Sequence, residues 1–236
     1  MAMHISNQHS EPLDWPNLFK KWAKEAPEGA LKRYYQAGMI AANTPLKDVP
    51  LLALDLETTG LDPNNDEIIS LGLIPMKHNA IRCQGAGYWM AKPKKALHAE
   101  SVTIHEITHS ELTDAPQLDH ILDDILDVMS KQVLVVHCVA IERQFLLEAS
   151  LKHYGYPLYF PVLDTMDIER QAQHKPWWRQ FGKAPSLRLD ACRQRYHLPR
   201  YKAHHALTDA ISSAELLQAQ IAHHMDLAAP ISRYWL

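Results

Sequence analysis

Cysteine is scarce in this sequence. Cys83, Cys138 and Cys192 are the only three, far apart and odd in number. That excludes a disulfide framework and a cysteine-built zinc site, and it fits a reducing, cytoplasmic setting. An excess of charge is also missing. The formal net charge is −3 at pH 7, so no overall basic field draws in nucleic acid, and any such contact must rest on a local patch or on metal ions. No apolar run approaches the roughly 20 residues of a membrane span, and the first twelve residues lack the cationic stretch and apolar core of a secretion signal. Internal repeats and low-complexity tracts are absent too. What remains is 47 % hydrophobic and 22 % charged over 236 residues. That is the balance of a globular chain long enough for one large domain, or for one domain with an extension. The fifteen histidines are scattered rather than clustered, so most belong to the surface or to packing.

Residues 1–12 are polar. Trp15, Leu18, Phe19 and Trp22 then recur at helical spacing, with Asp14 placed to cap and Pro16 in the first turn. A second short helix is expected from Pro27 to Ala37, stopped by Gly38, and the aromatics of both helices read as packing residues. Asn43-Thr44-Pro45 reads as a connector, which divides the chain into a helical extension, 1–45, and a main domain, 46–236. Strands are expected over Val49–Leu56, Glu67–Pro75, Ala80–Met90, Gln132–Val136 and Tyr159–Leu163. Helices are expected over 114–130, Ile141–Tyr154, 186–196 and 205–225. Three strands joined by short turns, followed by strands alternating with helices, predict an α/β domain with a mixed five-stranded sheet flanked by helices.

One stretch organises the rest: Leu51-Leu52-Ala53-Leu54-Asp55-Leu56-Glu57-Thr58-Thr59-Gly60. Successive strand side chains alternate between faces, so Asp55 and Glu57 point the same way. Two neighbouring carboxylates repel unless a cation lies between them or one holds a proton; otherwise they are simply solvated acids at a strand end. A second segment, Val133-Leu134-Val135-Val136-His137-Cys138-Val139-Ala140-Ile141-Glu142-Arg143-Gln144-Phe145-Leu146, runs from strand to helix. Glu142 falls in the first turn of that helix, where the helix dipole favours an anion. A third segment, His204-His205-Ala206-Leu207-Thr208-Asp209-Ala210, opens a long helix, and the spacing lets a histidine lean over Asp209. Ligands in α/β folds gather at the carboxyl ends of strands, where the first two segments lie.

Taken in order, these three segments resemble the motifs of the DnaQ-like (DEDDh) family of 3′–5′ exonucleases, over roughly residues 46 to 225. Ser101-Val102-Thr103-Ile104-His105-Glu106-Ile107-Thr108, Asp164-Thr165 and Ser186-Leu187 resemble smaller stations of the same family. The resemblance implies a ribonuclease H-like fold and a two-metal site, with Mg²⁺ or Mn²⁺ ions about 3.5–4 Å apart on the scissile phosphate. Hard oxygen ligands suit such ions. By resemblance, Asp55, Glu57, Glu142 and Asp209 are the ligands and His204 is the general base, with His205 its local rival. Imidazole suits proton transfer near neutral pH. The implied partner is nucleic acid with a free 3′ end, DNA before RNA, cleaved to nucleoside monophosphates. Thr58, Thr59, Gly60 and Leu61 fall where the family meets the terminal nucleotide, and a backbone passing close to a nucleotide suits Gly60.

The second motif departs from the family. It reads His-Cys-Val-Ala-Ile-Glu, so Glu142 stands in place of aspartate and Cys138 in place of asparagine. That motivates an alternative, a weakly active or non-catalytic nucleic-acid binder on the same fold. Asp164 reads as a helix cap rather than a ligand. His105-Glu106-Ile107-Thr108-His109 also fits the zinc-protease pattern, but that pattern needs a helix with both histidines on one face and a third ligand further on, and the segment coincides with a station of the exonuclease family. His174–Lys183 interleaves bases with Trp177, Trp178 and Phe181, as a single-strand stacking platform or a loop capping the core would. Arg188, Arg193, Arg195, Arg200 and Lys202 either hold phosphates or form a solvated face.

Overall fold

The computed structural model describes residues 13–94, 107, 109–173 and 185–236. The stretch His174–Lys183 and most of the 101–108 segment, with His105 and Glu106, lie outside the described residues.

Strand β1 (Leu51–Thr58) is central. It pairs antiparallel with β2 (Ile68–Lys77) and parallel with β5 (Val133–Val136), which pairs parallel with β6 (Val162–Asp164). The short β3 (Ala80–Ile81) and β4 (Gly87–Met90) both add to the outer edge of β2. Leu51–Leu54 and Val133–Val136 are buried throughout. Strands covered on both faces read as continuous apolar runs, and these two do. The mixed α/β sheet is as expected, but among the described residues it has six strands rather than five, because the expected Ala80–Met90 strand is broken. Residues 82–86 stand opposite only Ile74 and Pro75. Pro75 has no N–H to offer a ladder, and the partner strand loops out there through a 3₁₀ turn, Cys83–Gly85.

Among the described residues the helices are α1 (Trp15–Glu25), α2 (Ala30–Gln36), α3 (His109–Thr113), α4 (Leu118–Met129), α5 (Val139–Tyr154), α6 (Thr165–Ala172), α7 (Leu189–Arg195) and α8 (Ala206–His224). Asp14 caps α1 as expected, accepting from the N–H of Asn17 at 3.2 Å. Helix α8 lies across β1, β2 and β5. Helices α1 and α2 join the main core through Trp15, Phe19, Trp22, Tyr34 and Tyr35. The Tyr35 hydroxyl donates to the carbonyl of Pro157 at 2.9 Å and accepts from the N–H of Tyr159 at 2.9 Å, and Trp22 stacks on Tyr159. Among the described residues, no helix is long and apolar enough to cross a membrane.

Glu169 ties three helices together. From α6 it accepts from Arg195 Nε at 2.8 Å, the Tyr196 hydroxyl at 2.8 Å and Gln220 Nε2 at 3.1 Å, as well as from Gln173. Burial alone would raise its pKa, but the hydrogen bonds from Gln173, Gln220, Tyr196 and Arg195 outweigh it and hold the carboxyl below its ordinary 4.5. A carboxyl depressed in the folded state adds stability above its ordinary pKa and loses it as pH falls through the depressed value. Glu169→Gln is therefore expected to lower the melting temperature at neutral pH and to flatten its decline in acid. Thermal melts across the acid range check this; an unchanged acid limb would show that Glu169 is not the titrating group.

Candidate active site

Because β1, β5 and β6 run parallel, their carboxyl ends share one edge of the sheet. Asp55 and Glu57 sit at that end of β1, opposite Gly72 and Ser70 of β2. Their like orientation follows from strand alternation, as expected. Glu57 is buried. The strand then leaves the sheet through a register shift between Glu57 and Thr58.

The other two motifs converge on this pair. Donor atoms of Glu57, His204 and Asp209 all lie within 4.8 Å of one another. The main-chain N–H of His204 donates to Asp209 Oδ2 at 2.7 Å, which folds the turn back over the first turn of α8. His204 holds a left-handed backbone (φ 69°) that permits this reversal. The ring of His205 stacks on Tyr88 beside the cluster, with centroids 4.7 Å apart. Structure thus separates two histidines that are adjacent in sequence.

Glu142 enters from α5. It is only 3 % exposed, and its Oε2 has no hydrogen-bond partner among the described residues. Burial holds its carboxyl well above the ordinary range, with the charge of Asp164 adding to the shift and its own backbone N–H opposing it. Asp55 is likewise raised well above 3.8, first by desolvation and then by Glu142, Glu57 and Asp209. Asp209 is raised by burial, with Glu57 adding to the shift and the His204 N–H opposing it. Acidic oxygens gathered at one strand end, one of them orphaned and buried, form a donor set that fits a hard divalent cation.

Asp164 is a cap, as expected, and caps twice. It accepts from Met166 N–H at 2.9 Å at the start of α6, and from Cys138 and Val139 N–H at 3.0 and 3.1 Å at the start of α5. Cys138 itself takes a left-handed conformation (φ 88°), which asparagine adopts more readily. His137 bridges two of the smaller stations, with Nδ1 2.8 Å from Thr165 Oγ1 and Nε2 2.8 Å from the carbonyl of Leu187. Burial lowers its pKa.

The loop after β1 uses its own hydroxyls. Thr58 Oγ1 donates to the carbonyl of Gly60 at 2.6 Å, and Thr59 Oγ1 donates to Asp66 at 3.1 Å. Gly60 packs so close to the Asp66 carboxylate that a Cβ would lie 2.4 Å from it. Leu61 instead projects outward, 83 % exposed. The basic cluster is not a single surface. Arg193 is buried, donating to the carbonyls of Ser212 and Pro199 and pairing with Glu215 at 2.7 Å. Arg195 is held by Glu169 and the carbonyl of Ser186. Both guanidinium groups are used internally, so a phosphate-holding role for them is not supported; Arg188, Arg200 and Lys202 are the exposed members. Gly72 and Tyr88, which belong to none of the three motifs, also border the site. The lone glycine within an apolar strand was the available signal for the first.

The model of the exonuclease family RNase T matches residues 52–217, which spans all three motifs. The chain belongs to this exonuclease family. Curated relatives include a PolC-type DNA polymerase III of Thermotoga maritima, 27 % identical over 169 residues, and a DNA polymerase III subunit epsilon-like protein of Rhodobacter capsulatus, 29 % identical over 178 residues. The matches cover 72 % and 74 % of this exonuclease chain, but only 12 % and 24 % of the relatives' lengths. Among solved structures, the nuclease domain of 3′hExo, a DEDDh family member bound to rAMP, superposes with a TM-score of 0.62. The identity is 14 %, over 75 % of this chain and 93 % of that one. At that identity the likeness is one of fold, the ribonuclease H-like architecture.

Proposed function

We propose that the chain is a metal-dependent 3′–5′ exonuclease that hydrolyses the terminal phosphodiester of a nucleic acid, DNA before RNA, and releases nucleoside monophosphates. One observation carries this reading: carboxylates from β1, α5 and α8 converge on one strand end, with His204 beside them. Asp55, Glu57, Glu142 and Asp209 would hold two divalent ions, Mg²⁺ or Mn²⁺. When bound, the ions supply Lewis-acid stabilisation of the phosphoryl oxygens. His204 takes the proton of the attacking water, and the Asp209 carboxylate, bound to the His204 N–H, holds the turn that carries it. Leu61 packs against the terminal nucleotide, and Gly60 lets the backbone approach it. The preference for DNA rests on the polymerase relatives.

The test is a 3′-tailed fluorescent oligonucleotide, DNA or RNA, with Mg²⁺ or Mn²⁺. Stepwise shortening from the 3′ end is expected; binding without shortening at any metal concentration would sink the reading and leave the non-catalytic alternative. His204→Ala is expected to lose on the order of 10²–10⁴-fold in turnover, the range of general-base catalysis. His205→Ala should fall much less, and the reverse ranking would refute the assignment.

Glu142 tests the departure from the family. Its carboxylate reaches the cluster from the first turn of α5 with one methylene more than aspartate. Glu142→Asp is expected to retain or raise activity, because the charge and the hard oxygen donors stay. Collapse of activity in that variant, measured at several Mn²⁺ concentrations, would show that the longer side chain is required.

A further inference from the structure

Asp55, Gly72 and Tyr88 stand in one row across the sheet. Asp55 pairs with Gly72 on β2, and Gly72 pairs with Tyr88 on β4. Directly paired residues of adjacent antiparallel strands present their side chains to the same face. The amino end of α8 rests on this row. A Cβ placed on Gly72 would lie 2.4 Å from the main-chain N of Leu207 and 2.5 Å from the carbonyl carbon of Ala206 and the Cα of Leu207. Every atom in that contact is backbone, so no flexible side chain can yield. On β4, the next position in the row, Tyr88 stacks on His205 with planes inclined by 16°. His205 directly precedes α8 and directly follows His204.

We propose that Gly72 and Tyr88 are positioning residues that seat the 204–209 turn on the sheet. Gly72 sets how close α8 comes to Asp55. The Tyr88 stack fixes the rotation of the turn, so that His204 and Asp209 face Glu57. The inference rests on the catalytic reading above. Its physical motive is repulsion: without a seat, the acids of β1 and α8 would push the helix start outward until they were solvated. A methyl group at Gly72 lifts the turn, and loss of the Tyr88 ring lets it swivel.

The experiment measures Mn²⁺ binding without nucleic acid, by the electron paramagnetic resonance of free Mn²⁺, alongside oligonucleotide shortening and thermal melts. Supporting residues of metal sites change affinity by about 10–100-fold when altered. Gly72→Ala is expected to bind Mn²⁺ at least about tenfold more weakly and to lose kcat more than KM. Tyr88→Ala should weaken binding in the same direction, and Tyr88→Phe, which keeps the ring, should restore most of the loss. Phe19→Ala, whose ring contacts all lie within α1 and α2, serves as the control; it should lower the melting temperature without changing Mn²⁺ affinity. A folded Gly72→Ala with wild-type affinity would overturn the proposal. So would a Tyr88→Phe as damaged as Tyr88→Ala, and this pair decides the matter if Gly72→Ala does not fold. Failure of the wild type to shorten any oligonucleotide would overturn the catalytic reading instead, and the Mn²⁺ affinities would still judge the seat.

Discussion

Asp55→Ala is expected to abolish turnover, by on the order of 10³-fold or more, while leaving the chain folded. Asp55 is where the site's charges meet: desolvation, Glu142, Glu57 and Asp209 all raise its carboxyl pKa. A carboxyl raised in the folded state adds stability below its ordinary pKa and loses it as pH rises through the folded value. The metal-free wild type should therefore lose stability as pH rises from acid through that raised window. The alanine variant, freed of one charge, should lose less. Mn²⁺ bound only by the folded state stabilises it by mass action, so added Mn²⁺ should raise the melting temperature of the wild type and barely move that of the variant. Melts with and without Mn²⁺ over a pH series, run beside the nuclease assay, check both statements. Equal Mn²⁺ stabilisation of both proteins would show that Asp55 is not a ligand.

Phe19→Ala is the largest expected loss of stability. Phe19 is fully buried, with ring centroids 5.2 Å from Tyr35, 5.3 Å from Tyr34, 6.1 Å from Trp22 and 6.3 Å from Trp15. Truncating a buried phenylalanine costs about 3–5 kcal/mol, which for a chain of this size lowers the melting temperature by roughly 10 °C. The folded variant should keep near wild-type specific activity when assayed cold, because the ring contacts of Phe19 are with Trp15, Trp22, Tyr34 and Tyr35 and with no acid of the cluster. We propose that the helices of the extension, α1 and α2, act as a scaffold melting together with the main domain, since their aromatics share the sheet's core. Differential scanning calorimetry showing two transitions, only one of them shifted, would contradict that.

The common face of Asp55 and Glu57 follows from two-residue alternation within a single strand, which is why it is visible in the sequence. The same holds for Asp14 and for the role of Asp164 at α6, since a cap and its recipient N–H lie within three residues of each other. Leu51–Leu54 and Val133–Val136 announce central strands because burial on both faces removes the alternation. The alignment of three motifs added Glu142, His204 and Asp209 by resemblance, although no local pattern ties α5 or α8 to β1.

Periodicity reports which way a side chain faces within its own element. It does not report what lies opposite. The second cap of Asp164, on a helix that begins twenty-five residues earlier, depends on β5 and β6 being parallel neighbours. Arg193 and Arg195 read as surface charge, yet one is buried and both are held within the protein, because α7 packs against α8 and α6. The break of the third strand depends on Pro75 falling opposite it. By itself the sequence determined the acidic strand end, the central strands and the order of the motifs, through short-range alternation and capping. Tertiary structure alone decided that Glu142 is buried with an orphaned oxygen, that His205 stacks on Tyr88, and that α8 rests directly on Gly72. Those facts arise from contacts between distant segments, where close packing fixes distances that no sequence period encodes.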